Sequence, residues 1–225
     1  MLTQHRWQLI RLLQKTYPRA KCELQYHSPL QLLVSVILSA QCTDKRVNMV
    51  TPGLFRKYPT AKHFARLPQK KLEKEIRSTG FYRNKARNIR LCCQTIMKRF
   101  GGRIPKTMEQ LLTLNGVGRK TANVILNVAF GKNEGVCVDT HVLRLSVRLG
   151  LSAQKTPEKV EQDLMKLFPR RQWGDLTHRL IWHGRRRCYA RNPDCLNCEL
   201  KMICPSSKKF GFPSKKQLSD ASKSG

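Results

Sequence analysis

Apolar residues recur along most of this chain every three or four positions, the period of a helix with one buried face. Leu9, Leu12 and Leu13 form such a stripe on a first helix ending near Pro18. Ser28-Pro29 has the form of a helix start, with proline in the first turn, and predicts a helix over Leu30 to Ala40. Thr60, Pro68 and Gly80 punctuate shorter helices, and Asn84 to Phe100 reads as one long helix closed by Gly101-Gly102. Thr107 to Leu112 is a short helix, Gly118 to Phe130 a second stopped by Gly131, and Thr140 to Leu149 a third ending at Gly150. Glu158 to Leu167, opened by Thr156-Pro157, and Trp173 to Arg187 complete the series. No stretch alternates with period two and no internal repeat is evident, so the fold class is all-α. Ser206 to Gly225, rich in lysine, serine and glycine, has little to bury and is expected to be a disordered basic tail.

At 225 residues the chain can bury a substantial core, in one large domain or two small ones. Its most apolar run, Leu30 to Ala40, is interrupted by Gln31, Ser35 and Ser39 and is too short to span a bilayer. Charge changes the picture most: 44 basic residues face 14 acidic ones, a net charge of +30. Such an excess attracts polyanions, nucleic acid foremost and a membrane surface second, because neutralised phosphates release counterions. Nine cysteines cannot all pair, and Met1 opens no basic-then-apolar leader. Both features point to a reducing, cytoplasmic setting, where clustered cysteines bind metal. Cys22, Cys42, Cys92, Cys93 and Cys137 are dispersed and read as small buried hydrophobes.

The other four cysteines fall within one short loop, Cys188, Cys195, Cys198 and Cys204, spaced C-x6-C-x2-C-x5-C. Four thiolates so placed can hold a zinc ion or an iron–sulfur cube; only one C-x2-C knuckle is present, where zinc sites commonly have two. Upstream, Leu114-Asn115-Gly116-Val117-Gly118-Arg119-Lys120 joins two of the helices. Its glycines allow a sharp turn and a close approach, and the N-terminus of the following helix favours a phosphate oxygen. Such a turn can equally be an ordinary tight connection between helices. Lys120 reads either as a surface lysine touching phosphate or as a nucleophile. For the second role the amine must lose its proton, helped by burial, the helix N-terminus and nearby cations. Asp139, ahead of a helix, reads as an N-cap, and a cap also fixes a carboxylate's direction.

Taken together, Leu114 to Ala122, Val138-Asp139-Thr140-His141, Leu38-Ser39-Ala40-Gln41, Thr43-Asp44 and the cysteine loop resemble the helix-hairpin-helix DNA glycosylases, and among them endonuclease III. The resemblance covers about residues 5 to 205. It implies a six-helix domain over about residues 23–132 that carries the hairpin. A second domain, from residues 1–22 plus 133–205, would surround a [4Fe-4S] cluster held by Cys188, Cys195, Cys198 and Cys204. The implied activity is a bifunctional DNA glycosylase and abasic-site lyase acting as a monomer on duplex DNA. Its substrates are oxidised pyrimidines or abasic sites, and its location is the cytoplasm, on the nucleoid. Lys120 is then the Schiff-base nucleophile, a residue that adenine-mismatch relatives lack there. Asp139 is the catalytic carboxylate that stabilises charge on the sugar. Gln41 and the residue after Gly80 fill the gap left by the extruded base. That residue is Phe81, where leucine is more usual in bacterial members, and Asn115 stands where proline is frequent. Asn115, Gly116, Val117, Gly118, His141 and Arg191 are the remaining expected DNA contacts. Arg191, like Arg185, Arg186 and Arg187, either reaches phosphate or simply carries surface charge.

Overall fold

The structure, a computed structural model, describes residues 2–211, and among these every regular element is helical. The chain divides into two compact units, one formed by Cys22–Glu134 and the other by the described residues on either side of it.

The Cys22–Glu134 unit opens with α2 (Pro29–Leu38), following α1 (Leu2–Thr16) of the other unit. Ser28 Oγ accepts from Gln31 N at 3.2 Å and Pro29 occupies the first turn, which fixes where α2 begins. Next come α3 (Asp44–Lys57), α4 (Ala61–Arg66), α5 (Gln69–Ile76) and a 3-10 turn at Arg77–Thr79. Then follow α6 (Tyr82–Phe100), α7 (Met108–Leu112) and α8 (Arg119–Phe130). The long α6 is the spine of this unit: its stripe of Ala86, Ile89, Cys92, Cys93 and Ile96 is buried, with α4 and α5 packed along it. Leu32, Leu33, Phe64, Leu72, Leu111 and Ile125 complete that core.

The helix α3 is not among those delimited from the sequence, and Pro52-Gly53 lies inside it. Its buried Val47, Thr51, Leu54 and Phe55 and the Thr43 cap outweigh the one lost amide. Of the dispersed cysteines, Cys92, Cys93 and Cys137 are buried and Cys22 and Cys42 half-buried.

In the other unit α1 packs on α11 (Trp173–Arg186), which also packs on α9 (Thr140–Arg148), and α10 (Pro157–Leu167) lies against α9. Leu9, Leu13, Val142, Leu145, Val160, Leu164 and Leu180 form its core. The tail reading needs correction at its start: Ser207–Phe210 form a 3-10 turn with Ser207 buried, and residues 212–225 lie outside the described residues. No described helix is long and apolar enough to cross a membrane.

Candidate active site

The hairpin is built from α7, the turn through Asn115 and Gly116, and α8. Thr107 Oγ1 accepts from Gln110 N at 3.3 Å to start α7. Leu114 and Val117 bury their side chains on either side of the turn, and Val117 N donates to Leu114 O at 3.1 Å. Val117 therefore shapes the turn from within. Gly116 has φ +76°, and a β-carbon there would lie 2.9 Å from Asn88 Cβ on α6. Gly118 is the N-cap of α8 with no side-chain cap, and a β-carbon on it would meet nothing within 4 Å. One glycine thus seats the hairpin on its own unit, while the other leaves the outer surface bare at a helix N-terminus. Asn115 is exposed at the tip. Lys120 is the second residue of α8 and is exposed.

In the same unit, Gln41 and Phe81 share an unusual backbone state. Their φ values are +51° and +47°, in the left-handed region that side chains rarely adopt, and among the described residues only Asn192 is a further non-glycine case. Gln41 lies in the turn after α2; Phe81 directly precedes α6 and leaves 62 % of its surface exposed. Strain at two exposed residues, one of them a large aromatic, marks places where shape is held for something other than packing.

In the other unit Asp139 is the N-cap of α9, its Oδ1 accepting from His141 N at 2.9 Å and Val142 N at 2.8 Å. Arg144 Nη2 lies 3.2 Å from His141 Nδ1 and donates to Gly184 O at 3.1 Å and Cys188 O at 2.9 Å. Nη2 has two hydrogens for these three neighbours, so the two carbonyls and the ring nitrogen share them. Burial, with Arg144 and Arg185 adding to it, lowers the His141 pKa below its usual value against the pull of Asp139. This histidine is a fixed group beside the cap, with burial favouring its neutral form.

Cys188, Cys195, Cys198 and Cys204 line one cavity together with Arg148, Leu149, His183, Leu200 and Phe210. Donors point at the sulfurs: Arg148 Nη1 is 3.2 Å from Cys188 Sγ, and Leu200 N is 3.4 Å from Cys198 Sγ. His183 Nε2 lies 3.6 Å from Cys198 Sγ, its Nδ1 3.0 Å from the Tyr17 hydroxyl. Burial pushes the Cys198 thiol up to about 12 and raises Cys195 and Cys204 as well. Thiolates form in such surroundings only when a metal cation offsets them, and N–H donors onto sulfur are the support that ligating thiolates receive. The residues fit an all-cysteine metal group. Among the described residues, no three His, Cys, Asp or Glu side chains meet at one metal-sized point; the four thiols surround a space instead.

The arginines around the loop divide. Arg187 is tied to Asp194 at 2.9 Å and Glu199 at 3.2 Å, so it closes the loop on itself. Arg186 lies 3.9 Å from the Trp182 ring centre and Arg191 is exposed. The sequence reading passed over Lys85, Asn88, Arg144, Arg148 and His183. Lys85 could have been found: it occupies the buried stripe of α6, one turn before Ile89, where an apolar residue is the rule.

Residues 34–170 match the family described as HhH-GPD superfamily base excision DNA repair protein. The endonuclease III of Synechocystis sp. is 52% identical over 205 residues, 91% of this chain and 94% of that protein. Two solved structures are 44% identical to this chain. One, a non-covalent endonuclease III–DNA complex, has a TM-score of 0.88 and covers 93% of this chain and 97% of its own. The other, a trapped endonuclease III–DNA covalent intermediate, has a TM-score of 0.86 and covers 91% and 97%. A bare glycine hairpin, a capped carboxylate and a four-cysteine loop thus occur in a chain that belongs to the endonuclease III family of helix-hairpin-helix base excision repair DNA glycosylases.

Proposed function

We propose that this chain removes oxidised pyrimidines from duplex DNA and then cleaves the abasic strand, using Lys120 as nucleophile. The observation that carries this is the position of Lys120: an exposed lysine on the first turn of α8, directly behind the hairpin glycines. Gly118, without a side chain or cap, lets a phosphate approach the first amides of α8 and sets the sugar beside the amine. The damaged nucleotide must leave the stack before its C1′ can be reached, and Gln41 and Phe81 take the vacated space.

The chemistry follows from a neutral amine. The Lys120 lone pair forms a bond to C1′, and the glycosidic bond breaks with its electron pair leaving on the base, which takes up a proton. The bound nitrogen gives up one proton, its lone pair forms the C1′=N bond as the C1′–O4′ bond breaks, and O4′ takes up a proton, leaving a protonated imine. That imine makes the C2′ hydrogen acidic; its removal sends an electron pair into the C2′–C3′ bond and expels the 3′ phosphate. Asp139, its direction fixed by two amides, offsets the positive charge on the sugar and accepts protons. Lys120 is exposed in the DNA-free chain, where a nucleotide can reach it.

Cys188, Cys195, Cys198 and Cys204 would hold a [4Fe-4S] cube, which when bound would supply a rigid crosslink for the loop that carries Arg191. All four candidate ligands are cysteines, only one C-x2-C knuckle is present, and the four thiols line one cavity, which supports a cube over a single zinc ion. The protein acts as a monomer in the cytoplasm, its positive charge concentrating it on DNA.

Borohydride trapping tests the reading. Wild type mixed with DNA carrying thymine glycol or an abasic site is expected to form a covalent adduct, and Lys120→Ala none. No adduct with wild type, or the same adduct with Lys120→Ala, overturns the lyase.

A further inference from the structure

Lys85 is a buried lysine in the first turns of α6, only 4% exposed, and its ammonium donates to Leu38 O and Thr79 O, each at 2.7 Å. Neither acceptor is arbitrary. Leu38 is the last residue of α2, whose final carbonyls have no amide within the helix to accept from, and Thr79 ends the 3-10 turn before α6. Three residues beyond Leu38 comes Gln41; two beyond Thr79 comes Phe81. Lys85 N also bonds to Phe81 O at 3.1 Å. One side chain therefore links the two turns that present the two strained, exposed residues of this unit.

An ammonium is a costly choice for this place. Burial opposes its charge, and the N-terminus of α6 opposes it further. A methionine of the same length would fill the space without that cost but would leave both carbonyls unpaired. Two backbone oxygens, one at the negative end of α2, compensate the charge, and what the arrangement secures is the distance between two turns.

We propose that Lys85 is a positioning residue for base extrusion: by binding Leu38 O and Thr79 O it holds the Gln41 and Phe81 turns in one register, so that both side chains enter the base stack together. The proposal rests on the gap-filling role assigned above to Gln41 and Phe81. It deepens that role by naming what sets their spacing.

The test compares two duplexes under single-turnover conditions, one with thymine glycol opposite adenine and one with thymine glycol opposite a tetrahydrofuran abasic analogue. In the second there is no pairing to break and a gap already exists. Lys85→Met is expected to release the base about tenfold or more slowly than wild type from the paired duplex, and within about twofold of wild type from the unpaired one. In a chain that also carries Gln41→Ala and Phe81→Ala, adding Lys85→Met should produce no further loss on the paired duplex. An equal loss on both duplexes would assign Lys85 to general stability, and no loss on the paired duplex would remove its role; either overturns the proposal. Should Lys85→Met not fold, Lys85→Gln, which keeps a donor for one carbonyl, is read by the same comparison. If wild type releases neither base, the functional reading fails instead, and that result is distinct from any of these.

Discussion

Gly116 sits so tightly over Asn88 that a β-carbon on it would come within 2.9 Å of Asn88 Cβ, and its φ of +76° excludes most side chains independently. Two residues on, Gly118 has neither constraint. The two glycines of the hairpin therefore have separable duties. Gly116→Ala is expected to destabilise the Cys22–Glu134 unit by about 2 kcal/mol through strain and overpacking. Gly118→Ala should leave the melting temperature nearly unchanged while weakening duplex binding, because its methyl group faces outward where a phosphate would approach. Thermal melting and DNA titration at two salt concentrations check both. Equal loss of stability in the two variants would contradict this division.

Asp139 joins a cap and a charge in one side chain, and substitution can separate them. Asn is as good an N-cap as Asp, so Asp139→Asn should keep the bonds to His141 N and Val142 N and fold within about 0.5 kcal/mol of wild type. Without its charge, base release should slow by about 100-fold. Asp139→Ala should lose the same activity and about 1 kcal/mol of stability besides. Melting curves and single-turnover excision rates are the measurements; an active Asp139→Asn would leave Asp139 as a cap alone.

Helix positions were legible because burial on one face imposes its period, and starts such as Ser28-Pro29 name their own caps. The exception is α3, which contains Pro52-Gly53 and is held by the burial of Leu54 and Phe55. In the site, residue type and order pointed to Asp139 as a cap and to the four cysteines as neighbours, and both features are present. What the sequence could not convey was direction. Arg187 was grouped with its neighbours as a possible phosphate ligand, yet Asp194 and Glu199 claim it. Lys85 was one basic residue among 44 until its burial and two carbonyl partners singled it out. Three-dimensional pairing of this kind leaves only a faint sequence mark, a charge on an otherwise apolar stripe.

The cysteine loop should prove to be a folding element. Cys198 is the most deeply buried of the four thiols, and its partners Leu200 N and His183 Nε2 are set for a ligand sulfur. Wild type purified without oxidant should be brown, absorb near about 400 nm and hold about four irons per chain. Cys198→Ala should lose that absorbance and melt at a lower temperature, since binding energy in such a loop is folding energy. A colourless wild type loaded with zinc would exclude the cube.

Acid should destabilise the fold well before its carboxylates titrate, with His178 as one identifiable cause. Burial lowers the pKa of this α11 ring from its usual 6.5, and Asp175 opposes the shift. That opposition is shared, because the Asp175 carboxylate also pairs with Arg179 at 2.8 Å. Well above pH 6.5 the ring is neutral in both the folded and unfolded chain and contributes no pH dependence. As pH falls below 6.5 the unfolded chain takes up a proton that the folded one refuses, so stability drops until the folded ring is itself protonated. His183, held to about 4 by burial, contributes with the same sign over the window from 6.5 down to that value. The melting temperature should therefore decline from pH 7.5 to 5.5, and His178→Gln should flatten part of that decline while leaving the His183 share in place. An identical slope in the variant would show that protonation of His178 costs the native state nothing.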